Sequence, residues 1–291
     1  MAQASRIEWT EATWNPTVGC TKISPACKNC YAEGMAHRLQ AMGTAGYENG
    51  FKLTLLPQRL HEPLQRKRST VYFVNSMSDV FHEEVPFSFI DQVLDTIIAA
   101  RQHTFQMLTK RAERMRRYFV NREVPSNLWI GVSVEDREYG LPRIRILREI
   151  AARVRFFSIE PLLENLGEID FSGIEWVIVG GESGPGARPM EPDWVDAILH
   201  QCENQKVHFF SSSGEHGEPM GGAVQRAPTG AFSTEEPTTR CQRSKVAPSG
   251  FSKNSRSGGN LRWQSMQTST HGTKASGRHR SSRTVRQNIR F

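Results

Sequence analysis

Val71-Tyr72-Phe73-Val74-Asn75, followed after a polar interval by Ser88-Phe89-Ile90-Asp91-Gln92-Val93-Leu94-Asp95-Thr96-Ile97-Ile98, is the stretch on which the fold turns. The first segment is short, apolar and rich in β-branched and aromatic residues, as a buried parallel strand should be. The second places Phe89, Ile90, Val93, Leu94, Ile97 and Ile98 at intervals of three and four, which predicts a helix over 88–101 with Ser88 as its cap. The alternation then repeats. Segments 103–108, 128–134, 154–159, 176–180 and 207–210 read as strands, and 111–120, 141–152 and 192–203 as helices. Pro142 suits a first helical turn, and Glu191 and Asp193 supply negative charge at the positive end of the last helix. About six strands, most followed by a helix, imply parallel pairing and right-handed crossovers. The expected fold is α/β, an incomplete parallel (β/α) barrel over residues 1–210.

In such folds the carboxyl ends of the strands share one face, where ligands bind. Here each strand runs into polar residues: Asn75, Ser76, Ser78 and Asp79; Thr109, Lys110 and Arg111; Ser133, Glu135 and Asp136; Ser158 and Glu160; Gly181, Glu182 and Ser183. Solvated loops are polar for that reason alone, but five clusters on one predicted rim make it the candidate functional face. Glu160, a carboxylate at a strand end before Pro161, and Lys110 are the candidate catalytic residues. Lys110 and Arg111 could hold a carboxylate or phosphate, or form surface ion pairs. Gly180 and Gly181 allow close backbone approach to a ligand, and Glu182 could accept from an amine or ribose. With Ser133, Ser158 and Tyr31 they form the candidate cofactor-binding set.

Cys20, Cys27 and Cys30 lie within eleven residues, with Cys202 and Cys241 far away. Three thiolates can hold three corners of a four-iron cluster with one iron open, or zinc with an outside ligand. Closed zinc sites more often use two separated pairs, and His37 is the nearest histidine. Free or redox-active thiols are the third reading.

The charge is uneven. Residues 211–291 carry thirteen Lys/Arg and four Asp/Glu, a net of +9. Residues 1–210 carry 24 basic and 26 acidic residues, a net of −2, so the overall +7 is no general argument for nucleic-acid binding. The segment 211–291 has fourteen serines and no sustained period, so a disordered basic tail is expected. Its Arg-rich end, 278–290, could touch nucleic acid electrostatically. There is no apolar run long enough for a membrane span and no apolar signal core at the amino terminus. Clustered cysteines without a disulfide framework suggest a reducing cytoplasm.

Trp9-Thr10, Trp14-Asn15-Pro16-Thr17, Gly19-Cys20-Thr21, Cys27-Lys28-Asn29-Cys30-Tyr31-Ala32, Ser158-Ile159-Glu160-Pro161-Leu162 and Val179-Gly180-Gly181-Glu182-Ser183-Gly184 together carry a resemblance. Over roughly residues 5–210 the chain resembles a family of uncharacterised phage and bacterial three-cysteine-motif proteins, itself similar to radical S-adenosylmethionine (SAM) enzymes. The resemblance implies a 4Fe-4S cluster on Cys20, Cys27 and Cys30. It also implies SAM chelated at the open iron and cleaved by one electron to a deoxyadenosyl radical. By position, Gly180, Gly181 and Glu182 look like its SAM-contacting glycine–glutamate motif. The chain departs from the radical SAM pattern in three ways. The first two cysteines have six residues between them rather than three, Asn29 rather than an aromatic precedes the third, and the glycine–glutamate motif falls on a late strand. The similar proteins continue the last strand into a Phe-Lys-Gln-Trp-Gly-like segment, whereas Phe210 here meets Ser211-Ser212-Ser213-Gly214. A frameshift near Phe210 would explain the switch, and the gene's nucleotide sequence tests it: the alternative frame must encode that segment. The rival function is a non-catalytic zinc or cluster module binding nucleic acid or a partner protein.

Overall fold

The structure, a computed structural model, describes residues 5, 7–184 and 186–212. The expectations for the tail lie outside the described residues from 213 onward.

Seven strands form one parallel sheet. In spatial order they are β1 (Ala12–Trp14), β4 (Val71–Val74), β5 (Thr104–Thr109), β6 (Leu128–Ser133), β7 (Arg155–Ile159), β8 (Trp176–Val179) and β9 (His208–Ser211). Every neighbouring pair is parallel, and the sheet curls into a half-barrel with β1 and β9 as its edges. A two-stranded antiparallel ribbon, β2 (Thr17–Val18) with β3 (Thr54–Leu55), stands beside it. The helices are α1 (Tyr31–Ala41), α2 (Phe87–Ala99), α3 (Ala112–Phe119), α4 (Leu141–Arg148) and α5 (Pro192–Gln205).

Period-2 alternation splits the sheet into two faces. Tyr72, Val74, Phe105, Met107, Ile130, Val132, Phe157, Val177 and Val179 pack outward with the helices in the larger core. The alternate residues Phe73, Trp129, Phe156, Trp176, Ile178 and Phe210 form a second cluster that Trp9 joins. Gly131 belongs to this face, because a Cβ there would lie 2.6 Å from the Phe156 ring. Phe156 therefore needs the space that glycine leaves.

Several local expectations are corrected. The incomplete parallel barrel stands as expected, with one strand added to the six read from the sequence: β1 spans only three residues, too short to show a period. Ser88 does not cap α2. Pro86 occupies that position, and its carbonyl accepts from Phe89 and Ile90 at 2.9 and 3.2 Å. Ile98 lies off the buried stripe, 48% exposed. Helix α4 stops at Arg148, not at 152, because Glu149 and Ile150 bond three residues back and tighten the end. Helix α1 has no sequence stripe. It buries only Ala32 and Ala36, against a small cluster with Val18, Tyr47, Leu56 and Met77. Among the described residues no helix is long and apolar enough to cross a membrane.

Candidate metal and cofactor site

The polar strand ends converge on one rim, and three charged side chains there hold the cysteine loop. The loop begins where Gly19 takes φ +81 and its amide donates to Met77 O at 3.0 Å. A side chain at Gly19 would collide with the Lys52 carbonyl, so glycine is required there. The turn beneath it is built from Asn15, Thr17, Asn75 and Ser78. Asn15 Oδ1 accepts from Met77 N at 3.0 Å, and the hydroxyls of Thr17 and Ser78 lie 2.7 Å apart. Asn75 adopts a left-handed conformation and donates to both hydroxyls.

Arg111, at the end of β5, grips the first cysteine. Its Nη1 donates to Cys20 Sγ at 3.4 Å and to Asp79 Oδ2 at 3.2 Å. Nη2 donates to Thr21 O at 3.2 Å and Oγ1 at 3.0 Å, and Nε to Glu83 at 2.8 Å. Asp79 is itself fixed by the Thr109 hydroxyl, at 2.8 and 2.9 Å. Burial pushes the Cys20 thiol up to about 11, with Asp79 adding and Arg111 opposing.

Glu135, just past β6, grips the middle of the loop. Fully buried, it accepts from Ser24 Oγ at 2.5 Å and from Arg143 Nη1 at 2.6 Å, with Lys110 Nζ at 3.6 Å. Burial raises its carboxyl, but Lys110 and Arg143 outweigh that, so it stays below its usual range. Lys110 is thus engaged with Glu135.

Glu182, after β8, grips the last part. It accepts from Asn29 Nδ2 at 2.9 Å and from Arg188 N and Nε at 2.9 and 3.0 Å, and it pairs with Arg188 Nη2. Arg188 Nη2 also donates to Pro25 O at 3.0 Å, and Asn29 to Gly186 O at 2.9 Å. Burial pushes the Glu182 carboxyl up, but these donors outweigh it and hold the group at about 2. The glycine–glutamate segment therefore meets the cysteine loop through its carboxylate.

Glu160, Ser158, Ser133 and Gly180 fall on the concave face. Ser133 and Ser158 are register partners. Glu160 accepts from Ser212 Oγ at 2.6 Å and Ser158 Oγ at 3.4 Å. Gly180 is shaped by the same group: a Cβ there would meet Ser212 Oγ and Glu160 Oε1. Burial pushes the Glu160 carboxyl up, although hydrogen bonds from Ser212, Ser158 and Trp9 resist. Gly181 lies near Met190. Tyr31 exposes 52% of its surface while its hydroxyl donates to Ser76 O at 2.5 Å. Burial of that hydroxyl, with Cys30 and Glu160 nearby, disfavours the phenolate and moves its ionisation to higher pH.

The two carboxylates respond to pH with opposite sign. Glu182 is depressed in the fold, so its contribution is present above the unfolded value of about 4.3 and is lost as pH falls toward 2. Glu160 is raised, so its contribution is fullest below about 4.3 and fades as pH rises through its folded value. Urea titrations of Glu182→Gln and Glu160→Gln against the parent check this. The stability deficit of Glu182→Gln should shrink on acidification, and any advantage of Glu160→Gln should grow as pH rises above about 4.3. Parallel pH profiles for both would refute the assignment.

Cys20, Cys27 and Cys30 are free and partly exposed, at the loop start, the end of a single 3₁₀ turn (Pro25–Cys27) and the residue preceding α1. They fit a soft metal centre by donor chemistry: three thiols on one short loop, with a guanidinium aimed at one sulfur. They are not drawn around a common point. Among the described residues, no group of three or more His, Cys, Asp or Glu side chains is arranged to hold a metal ion.

Sequence reading gave Arg143 and Arg188 no part in the site and named Asn29 only as a departure from the radical SAM pattern. Their partners lie 6 to 163 residues away along the chain, so local pattern alone does not pair them. The even spacing of charged residues after successive strands was the available signal.

Solved structures with some likeness include spore photoproduct lyase complexed with dinucleoside spore photoproduct. It has 11% identity and a TM-score of 0.41, covering 69% of this chain and 63% of that one. The chain thus spans less than two thirds of that protein's length. A spore photoproduct lyase variant with bound AdoMet and the same dinucleoside has 12% identity and a TM-score of 0.40, covering 69% and 63%. Another variant reaches 0.46 at 9% identity, covering 73% and 79%. No residue role transfers at this identity. No curated protein matches the sequence. The model of the family described as "Protein of unknown function (DUF5131)" matches residues 4–287, and the chain belongs to that family.

Proposed function

We propose that the protein is an iron–sulfur enzyme in which Cys20, Cys27 and Cys30 hold a 4Fe-4S cluster and SAM is the cosubstrate. The observation that supports this reading most is the loop itself. Three free thiols sit on one segment that is fastened to the carboxyl rim of a parallel half-barrel by Arg111, Glu135 and Glu182. Cys20, Cys27 and Cys30 would hold such a cluster, and when bound it would supply an open iron for SAM and one electron for cleavage of a carbon–sulfur bond.

The chain's own residues have separable tasks. The rim fixes the loop, and the aromatic floor of Phe73, Trp129, Phe156 and Trp176 excludes water beneath it. Glu160, its carboxyl raised by burial and with Tyr31 nearby, can donate or hold a proton for the substrate on the concave face. Lys110, with its Nζ 3.6 Å from Glu135, helps to position the Glu135 carboxylate against the loop. The substrate is unassigned.

Anaerobically purified protein should be brown, with about four irons per chain. Given SAM and a low-potential reductant, it should release deoxyadenosine. Colourless protein with one zinc per chain would instead identify a zinc module. A brown protein that leaves SAM intact would reduce the reading to cluster binding.

A further inference from the structure

We infer that Arg111 is the positioning residue for Cys20, holding the first thiol in a fixed direction and donating to its sulfur when a metal is bound. This rests on the three-thiol reading above. A buried arginine needs acceptors for all its N–H groups, and here they are divided between two structures. Asp79 and Glu83 anchor the guanidinium to the loop after β4, while Cys20 Sγ, Thr21 O and Thr21 Oγ1 lie on the cysteine loop. Arg111 itself is 5% exposed, and its own amide is fixed by the Thr109 hydroxyl at 2.8 Å. Thr21 Oγ1 is further held by His82 Nε2 at 2.9 Å. The planar fork therefore sets both the place of Thr21 and the direction of the preceding sulfur. Cys27 and Cys30 have no such clamp in common with Cys20, because their segment is held through Ser24, Pro25 and Asn29. Lysine cannot reproduce the arrangement: one ammonium cannot span Glu83, Asp79, Thr21 and a sulfur together.

The test uses the full chain and cobalt(II) alone as probe, since thiolate-to-cobalt charge transfer counts sulfur ligands without any catalytic turnover. Arg111→Gln should weaken cobalt binding about 10- to 100-fold and lower the charge-transfer intensity by about a third, the share of one thiolate among three. Arg111→Lys, which keeps a positive charge beside Asp79, should restore folding without restoring the band, and it carries the test if the glutamine variant does not fold. Hydrogen exchange at residues 19–22 should rise in both variants while residues 27–31 stay unchanged. Unaltered cobalt affinity and band intensity in Arg111→Lys would overturn the inference, as would full rescue by lysine of a defect in Arg111→Gln. If the parent protein itself shows no thiolate band, the three-thiol reading fails. The exchange of 19–22 then still decides whether Arg111 holds Cys20.

Discussion

Cys27→Ser and Cys30→Ser should each leave the anaerobically reconstituted protein almost colourless, with iron falling from the expected value of about four per chain to less than about one. A serine hydroxyl is not an anion near neutral pH and is a hard donor, so it cannot replace a thiolate on iron. The fold provides no substitute sulfur among the described residues. Cys202 is 1% exposed on α5, packed in the outer core. Cys202→Ser should therefore keep its iron. The segment that carries Cys27 and Cys30 should survive the substitutions, because Ser24, Pro25 and Asn29 tie it to the rim. Loss of colour with unchanged circular dichroism is the expected combination. Serine variants that retain full iron and absorbance would end the cluster assignment.

Trp176→Ala should cost about 3–5 kcal/mol of folding stability, read by urea denaturation. Trp176 is 1% exposed at the centre of the concave floor. Its ring meets Trp9 edge-on at 6.0 Å, Trp129 at 6.1 Å and Phe156 at 5.7 Å. Truncation removes the shared partner of three aromatic rings, and a rigid sheet cannot collapse around the void. Gly131→Ala probes the same floor from the opposite side. Its new methyl would sit 2.6 Å from the Phe156 ring, an overpacking worth about 1–3 kcal/mol. Costs below about 0.5 kcal/mol for both would mean that the floor is not a packed layer.

The strand–helix alternation was legible because burial writes a period into the chain. Central strands need two apolar faces and surface helices need one, so Val71–Val74 and Phe89–Ile97 carry their environment in their composition. The face assignment of Ser133, Ser158, Glu160 and Gly180 follows from the period of two once the strand register is known. The three-residue β1 and the alanine-faced α1 left no such mark. Strand β1 owes its conformation to pairing with β4, a partner about 60 residues away.

What the sequence by itself determined is a parallel α/β architecture and a trio of thiols on one loop, because hydrophobic period and ligand spacing are local properties. Only the tertiary structure decided which charges serve that loop. Arg111, Glu135 and Glu182 look alike on paper as polar residues after strands, and any of them could have faced a ligand. Sheet curvature brings their side chains over residues 20–29, where desolvation obliges each to find partners, and atoms of the cysteine loop supply part of that set beside Glu83, Arg143 and Arg188.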